Sequence, residues 1–385
     1  MPDAVSTLRL RSRAIAPLGI GAFAIGTDLF VVAGVLPGLA ADLGVTVGAA
    51  GLTVTVFALA YATGAPVLSA LLGARPLRQV LIGSLVLFGL CNVASALAPG
   101  LAVLLVARVL GALAASVYIP AAGSAAVAAA PASRRGRALG VVLAGSAVAT
   151  VLGAPLGVLL ASHLSWRAAF GLVAVLAAAT ILGLLHSSAG SGPPTRSTLS
   201  ERLRPMRSPA VVGTLTVTFL VMAGSNSVYT YLAVLLGGST GLGLSMGVFG
   251  LAGIVGTWWA GTAADRRGSG RVIVLAVTVL GTGLAALPLV AATTAGTLAV
   301  VIAWGMAAWG FVSAQQHRVI GVGSGPAPLL LALNSSAIHL GFAAGALLGG
   351  LVIDAAGVSS LWLLPVACCG AGLALHGILM REVRP

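Results

Sequence analysis

Lysine is absent from this chain of 385 residues, whose 20 basic side chains are all arginine. Acids are nearly as rare: there are 7, and charged residues of all kinds make up 7% of the total, against roughly a quarter in an average soluble domain. So few charges cannot coat a core of this size against water, which excludes an ordinary soluble enzyme. Without lysine no GxxxxGK[ST] phosphate loop can be written, which argues against ATP-driven work by this polypeptide alone. The 3 cysteines, Cys91, Cys368 and Cys369, all lie in apolar stretches. They form neither a disulfide framework nor a metal spacing, and read as small buried hydrophobes. The 5 histidines show no zinc spacing, so no metal or cofactor is expected. No GxSxG segment with suitable partners points to a hydrolase. Glycine is plentiful, at 53, but follows no three-residue period, which excludes collagen.

What remains is apolar: 59% of residues are hydrophobic and the mean hydropathy is +1.11. A bilayer span takes about 20 such residues, so the chain has room for about a dozen. Apolar segments bounded by Arg, Pro, Gly or Ser clusters fall at 14–38, 50–72, 79–98, 101–129, 138–161 and 166–186. Six more follow at 210–236, 244–264, 272–292, 295–316, 327–353 and 358–380. The first is too long for a cleaved signal sequence and carries Asp28 in its middle.

A net charge of +13 and a pI near 11.5 would ordinarily suggest nucleic acid. The arginines instead form small groups between apolar stretches, so no nucleic acid is expected and the lipid bilayer is the partner. All but Arg108 and Arg167 fall in alternate connections or at the two termini. Arginine near span ends is retained in the cytoplasm, so both termini are predicted cytoplasmic in a multi-pass protein of the inner membrane. The stretch 187–209, rich in Ser, Gly, Pro and Arg, reads as a cytoplasmic linker, with a short surface helix over 198–204. It divides the chain into six-helix bundles at 1–186 and 210–385, and a monomer is expected to suffice. The halves look duplicated: Ser69 and Gly261, Gly153 and Gly345, and Gly157 and Gly349 are each 192 positions apart.

Asp28 is the one carboxylate near the middle of a span, about 15 Å from the helix end at 1.5 Å per residue. An ionised carboxylate there needs an aqueous cavity, a cation or a proton. Proton uptake would be coupling chemistry; a permanent bond to neighbouring polar groups is the alternative. Arg108, in ARVLGALAA, is the one arginine inside a span and must find an acceptor, for which Asp28 is the obvious carboxylate. A fixed pair pinning two helices and a coupling role both remain open. His339, central in the eleventh segment, is either a reserve proton site or a neutral histidine bonded to another helix. His163, His186, His317 and His376 lie near span ends and read as interfacial. Tyr61, Tyr118, Asn226, Tyr229, Tyr231, Trp309 and Asn334 form a polar and aromatic set that could line a cavity or glue helices. Trp166, Trp258 and Trp259 suit the headgroup belt.

Gly145, Gly153, Pro155 and Gly157 lie in GSAVATVLGAPLG, where small residues let helices approach closely and Pro155 bends or breaks the ladder. The related glycines at 341, 345, 349 and 350 suggest that the fifth and eleventh helices pack against each other across the halves. In GTAADRRGSGR, Gly261, Asp265, Arg266, Gly268 and Arg271 form a charged turn that can cap helix ends and bridge to the other half.

Taken together these segments resemble the major facilitator superfamily, and within it the twelve-helix drug:proton antiporters. GTDLFVVAGVLP at 26–37 is similar to that group's first-helix motif, ARVLGALAA at 107–115 to its fourth-helix motif, and GSAVATVLGAPLG at 145–157 to its antiporter motif. SWRAAF at 165–170 resembles the entry to the sixth helix, and GTAADRRGSGR at 261–271 the superfamily's loop motif. The likeness implies an all-α membrane fold of two pseudo-symmetric six-helix bundles. The matching loop after the second helix departs from the pattern: SALLGARPLRQ has Ser69, Gly73 and Ala74 where Gly, Asp and Arg are usual. The resemblance extends to some bacterial chloramphenicol and sugar-efflux-like members with such a degenerate loop, which tilts the expected cargo slightly toward theirs and leaves Asp265 more of the conformational bias.

The function expected is export of a small, fairly apolar compound, such as a chloramphenicol-like antibiotic, driven by inward proton flow through Asp28 with Arg108 as partner. Two rivals stand beside it. One is a transporter of a sugar, nucleoside or amino acid, coupled or not; the other is a receptor or scaffold that binds without turnover.

Overall fold

The structure, a computed structural model, describes residues 2–187, 190, 198–237, 241–290 and 293–382. Positions 188–189 and 191–197 of the expected linker, Arg196 among them, and Arg384 lie outside the described residues. Among the described residues twelve helices are long and apolar enough to cross a bilayer. In the first half these are α1 (Ile15–Leu43), α2 (Val47–Leu71), α3 (Leu77–Ala96), α4 (Leu101–Ala129), α5 (Arg135–His163) and α6 (Trp166–Leu185). In the second they are α7 (Pro209–Thr230), α8 (Leu242–Arg267), α9 (Ser269–Val290), α10 (Thr294–Val322), α11 (Ala327–Ala356) and α12 (Val358–Arg381). Only helices satisfy every backbone donor and acceptor within one segment, as hydrocarbon demands. Their outward faces carry bare Leu90, Val106, Val175, Trp258 and Ile378, which suit lipid rather than water.

The expected spans all appear, with ends shifted for local reasons. α1 runs through Pro37 to Leu43, because Leu36 and Leu39 are fully buried and hold its last turns in the core. It stops at Gly44, whose φ of +63° suits a residue without a Cβ. α5 is not broken at Pro155; a π-turn over Ala149–Gly153 precedes the proline and absorbs the missing donor. α7 ends earlier than expected, interrupted at Tyr231 before the short turn Leu232–Leu235. The surface helix appears at Leu199–Leu203, started by a capping box in which Thr198 and Glu201 bond each other's backbone N–H.

The chain packs as two six-helix bundles, α1–α6 and α7–α12. The glycine seams do not join α5 to α11, contrary to the expectation. Each seam faces the first helix of its own bundle: Gly145, Gly153 and Gly157 lie on Gly19, Thr27 and Val31 of α1, while Gly341 and Gly345 lie on Met222 and Ala223 of α7. The duplicated glycines therefore do equivalent work twice. Across the bundles α5 instead meets α8, and α2 meets α11.

Candidate functional site

Arg108 of α4 donates from Nη1 to Oδ1 of Asp28 on α1 at 2.6 Å, and both side chains are buried. Its Nη2 reaches the Asp28 carbonyl oxygen at 3.4 Å and its Nε the Thr53 carbonyl oxygen of α2 at 3.5 Å. The guanidinium lies over the Phe57 ring, 4.1 Å from its centroid, with Phe170 of α6 further off. Arg108 thus gathers three helices around one carboxylate. That carboxylate is half satisfied: Oδ2 of Asp28 and the neighbouring Thr27 hydroxyl have no partner among the described residues. A lone acceptor oxygen in this setting is where a proton or a water would sit.

Two residues further along α1, Phe30 points the other way, into a cavity between the bundles. Its walls are Met222, Ser225, Asn226 and Tyr229 of α7, Phe249 of α8, Ala308, Trp309 and Val312 of α10, and Ile338 and Phe342 of α11. The rings interlock, with centroids 5.8 Å apart for Phe30 and Tyr229 and 5.1 Å for Tyr229 and Phe249. Trp304 stands behind them, 4.7 Å from Phe249 by ring centroid, and its indole N–H donates to the Ser225 hydroxyl at 2.8 Å. Asn226 is held by its amide, which donates to the Phe342 carbonyl oxygen at 2.9 Å and the Thr230 hydroxyl at 3.1 Å. The Tyr229 hydroxyl, by contrast, is buried with no partner among the described residues. The free space is about 30 Å³, room for roughly two waters, so a larger occupant requires rings or bundles to part.

The remaining members of the polar and aromatic set lie elsewhere. Tyr118 is inside the first bundle, its hydroxyl donating to the Leu18 carbonyl oxygen at 3.2 Å. Asn334 belongs to a second-bundle network, accepting from the Thr218 hydroxyl at 2.9 Å while Gln315 donates to the same hydroxyl at 3.1 Å. Tyr61 of α2 and His339 of α11 stack across the bundles with centroids 4.1 Å apart, and His339 Nδ1 is 2.8 Å from the Ser335 carbonyl oxygen. Tyr231 donates to the Ala346 carbonyl oxygen at 2.7 Å and lies against Gly51 and Gly349. Sequence reasoning missed Phe30, Met222, Phe249 and Phe342, because an apolar wall residue looks like any other hydrophobe of a span.

Comparison with protein families matches the Major Facilitator Superfamily over residues 18–321. The chain belongs to that superfamily. Its relatives include the uncharacterised MFS-type transporter YbcL of Bacillus subtilis, 31% identical and matched over 94% of both chains. The chloramphenicol resistance protein of Streptomyces lividans is 32% identical, over 87% of this chain and 88% of its own. A solved bacterial homologue of the human lysosomal transporter Spinster, described as inward-facing and occupied, shares the fold with a TM-score of 0.78 at 15% identity, over 97% of each chain.

In this facilitator one bond set that bridges the bundles lies at the arginine-poor ends of the helices. There Asp354 of α11 accepts from the Thr46 hydroxyl at 3.0 Å and from the Gly48 N–H at 3.3 Å, latching α11 to the start of α2. Any side chain at Gly48 would strike that carboxylate. On the same face Trp166 is not a headgroup anchor: it is buried, and its indole donates to Asp42 at 2.9 Å. Arg167 pairs with the same Asp42 and bonds the Ala98 carbonyl oxygen at 3.0 Å, which explains an arginine on the arginine-poor side. His376 is likewise not interfacial but 1% exposed, while Trp258 is among the outward-facing residues. At the arginine-rich face Asp265 approaches His317 of its own bundle at 3.8 Å and, among the described residues, forms no ion pair with the first bundle, where a bridge is expected from the sequence. Gly268, at φ +80°, closes α8.

Proposed function

We propose that this facilitator exports small, fairly apolar compounds in exchange for protons, with residues 1–186 and 210–385 as the moving bundles and 187–209 joining them. The carrying observation is the aromatic cavity backed, across α1, by a buried carboxylate with one free oxygen. An apolar wall with a single unused hydroxyl, on Tyr229, favours a substrate such as chloramphenicol over a sugar, whose many hydroxyls would go unpaired in it. The chloramphenicol resistance protein among the relatives supports the same class.

The proposed cycle uses electrostatics at Asp28. When water reaches it from outside, Asp28 takes a proton and loosens its hold on Arg108; when water reaches it from the cytoplasm, the proton leaves and the pair re-forms. Phe30 shares the helix, so a rotation of α1 that frees Asp28 also reshapes the cavity. Gly261, Asp265, Arg266, Gly268 and Arg271 act at the cytoplasmic end of α8 to bias the bundles, and His339 serves as a reserve proton site. Tyr61 lies on the path between the bundles; Tyr118 and Asn334 contribute through packing rather than contact.

In a pump-deficient host, expression is expected to raise chloramphenicol tolerance several-fold, and Tyr229→Ala or Trp309→Ala to remove most of that gain at equal protein levels. Unchanged susceptibility across a panel of apolar antibiotics would overturn the substrate class.

With the arginine-rich face placed in the cytoplasm, the Asp354 latch closes the outer side. Asp354→Ala removes two bonds that bridge the bundles. It is expected to raise cysteine labelling at an introduced Ala49→Cys from the outer face by about fivefold, the effect of roughly 1 kcal/mol of lost hydrogen bonding. Equal labelling in both proteins would remove the latch from the cycle.

A further inference from the structure

At the arginine-rich face a second cavity of about 100 Å³ opens between the ends of α2, α3 and α4 and the short helix Leu199–Leu203. Arg75, Arg202, Ser69 and Ser124 supply its polar lining, with Gly73 and aliphatic and proline side chains forming the rest. No described carboxylate pairs with either arginine. Gly73 stands in the same wall and brings no acid to it. Glu201, next to Arg202, is already committed: its Oε2 accepts the Thr198 N–H at 2.8 Å as part of the helix cap. Arg78, by contrast, is satisfied by the carbonyl oxygens of Ser187 at 2.6 Å and Leu185 at 3.1 Å.

Arg202 is the informative residue. Its Nε is shut away from solvent and meets no acceptor among the described residues. Burial pushes its guanidinium down from the ordinary arginine value, the mark of a cation left uncompensated. Around the cavity the exposed Arg75 guanidinium, the terminal N–H groups of Arg202 and the Ser69 hydroxyl have no acceptor among the described residues. Phosphate, with several acceptor oxygens and a charge of one or two, answers both needs, and arginine forks suit it geometrically.

We propose that this pocket binds a phosphate group, either on the headgroup of an anionic membrane phospholipid or on a soluble compound. The bound anion clamps the linker helix, through Arg202, to the end of the first bundle, through Arg75. It lies apart from the aromatic cavity, so binding can be read without transport.

The test uses the full-length protein purified in a neutral detergent, titrated with dioctanoyl phosphatidylglycerol, inorganic phosphate and dioctanoylglycerol, and read by native mass spectrometry and calorimetry. Saturable binding of the phosphatidylglycerol but not of dioctanoylglycerol is expected. The double variant Arg75→Gln/Arg202→Gln should weaken it at least tenfold with an unchanged melting temperature, Arg75→Lys/Arg202→Lys should retain most of it, and Arg381→Gln should leave it unaltered. Displacement by inorganic phosphate supports a soluble source, and its failure to displace supports the lipid; both keep the site. Equal binding by the double glutamine variant, an equal loss in Arg381→Gln, or binding of dioctanoylglycerol as tight as that of the phosphatidylglycerol would overturn the proposal.

Discussion

Asp28→Asn is expected to abolish uphill export and the substrate-induced proton movement in everted vesicles, while leaving downhill exchange measurable. The amide cannot cycle a proton, and it leaves Arg108 buried beside a neutral group. Removing one partner of a buried pair typically costs about 3–5 kcal/mol, so the single variant should also melt at lower temperature. The second substitution separates the two effects. In Asp28→Asn/Arg108→Gln no uncompensated charge remains, so thermal stability should largely return, and coupling should not. Uphill export at the normal rate in the double variant would show that the pair pins α1 to α4 and does nothing more. Persisting proton movement in Asp28→Asn would move the coupling site elsewhere, with His339 the next to test.

Valine at Gly145 should deplete the folded protein, whereas valine at Gly250 should leave it folded but change which face is open. Both glycines sit at backbone-to-backbone contacts, and the difference lies in what they touch. A Cβ at Gly145 would run into the carbonyl oxygen of Gly19 and lie 3.2 Å from the Phe23 nitrogen, inside one bundle. α1 and α5 belong to one bundle, so parting the bundles does not relieve the clash, and overpacking of this kind typically costs about 1–3 kcal/mol. A Cβ at Gly250 would lie 2.5 Å from the Thr150 carbonyl oxygen and 2.8 Å from the Val151 Cα, on the other bundle. That clash is relieved by separating the bundles, which alternating access already permits. Size-exclusion profiles and melting curves should therefore fail for Gly145→Val and hold for Gly250→Val. Labelling of Ala49→Cys from the arginine-poor face should rise at least tenfold in the latter. Loss of fold in both would mean that the α5–α8 contact is permanent.

The spans and the turn chemistry of the connections were readable because hydrocarbon imposes a length and a polarity on every crossing segment. Thr198 and Glu201, three apart before a leucine, similarly announce a helix start. The partnership of Asp28 with Arg108 could be anticipated because two charges deep in an apolar chain have few other partners. The packing of the glycine seams could not, since a stripe of small residues states that something comes close and not what. Trp166 and His376 went astray for a related reason: position near a span end does not say whether a side chain turns toward lipid or toward a neighbouring helix. Asp354 gave no signal at all, because its partners Thr46 and Gly48 lie in the other bundle, about 300 positions away along the chain.

Composition and periodicity alone determined twelve apolar segments long enough to cross a membrane, with an acid and an arginine deep in those of the first half. Those features are set by the transfer of side chains and backbone into oil, which each segment undergoes largely by itself. Which rings close around the central cavity, which of its hydroxyls stays free, and where the bundles hold together were decided only by tertiary packing. Such contacts join residues that share no local pattern, and their energies depend on distances and angles that one-dimensional spacing does not carry.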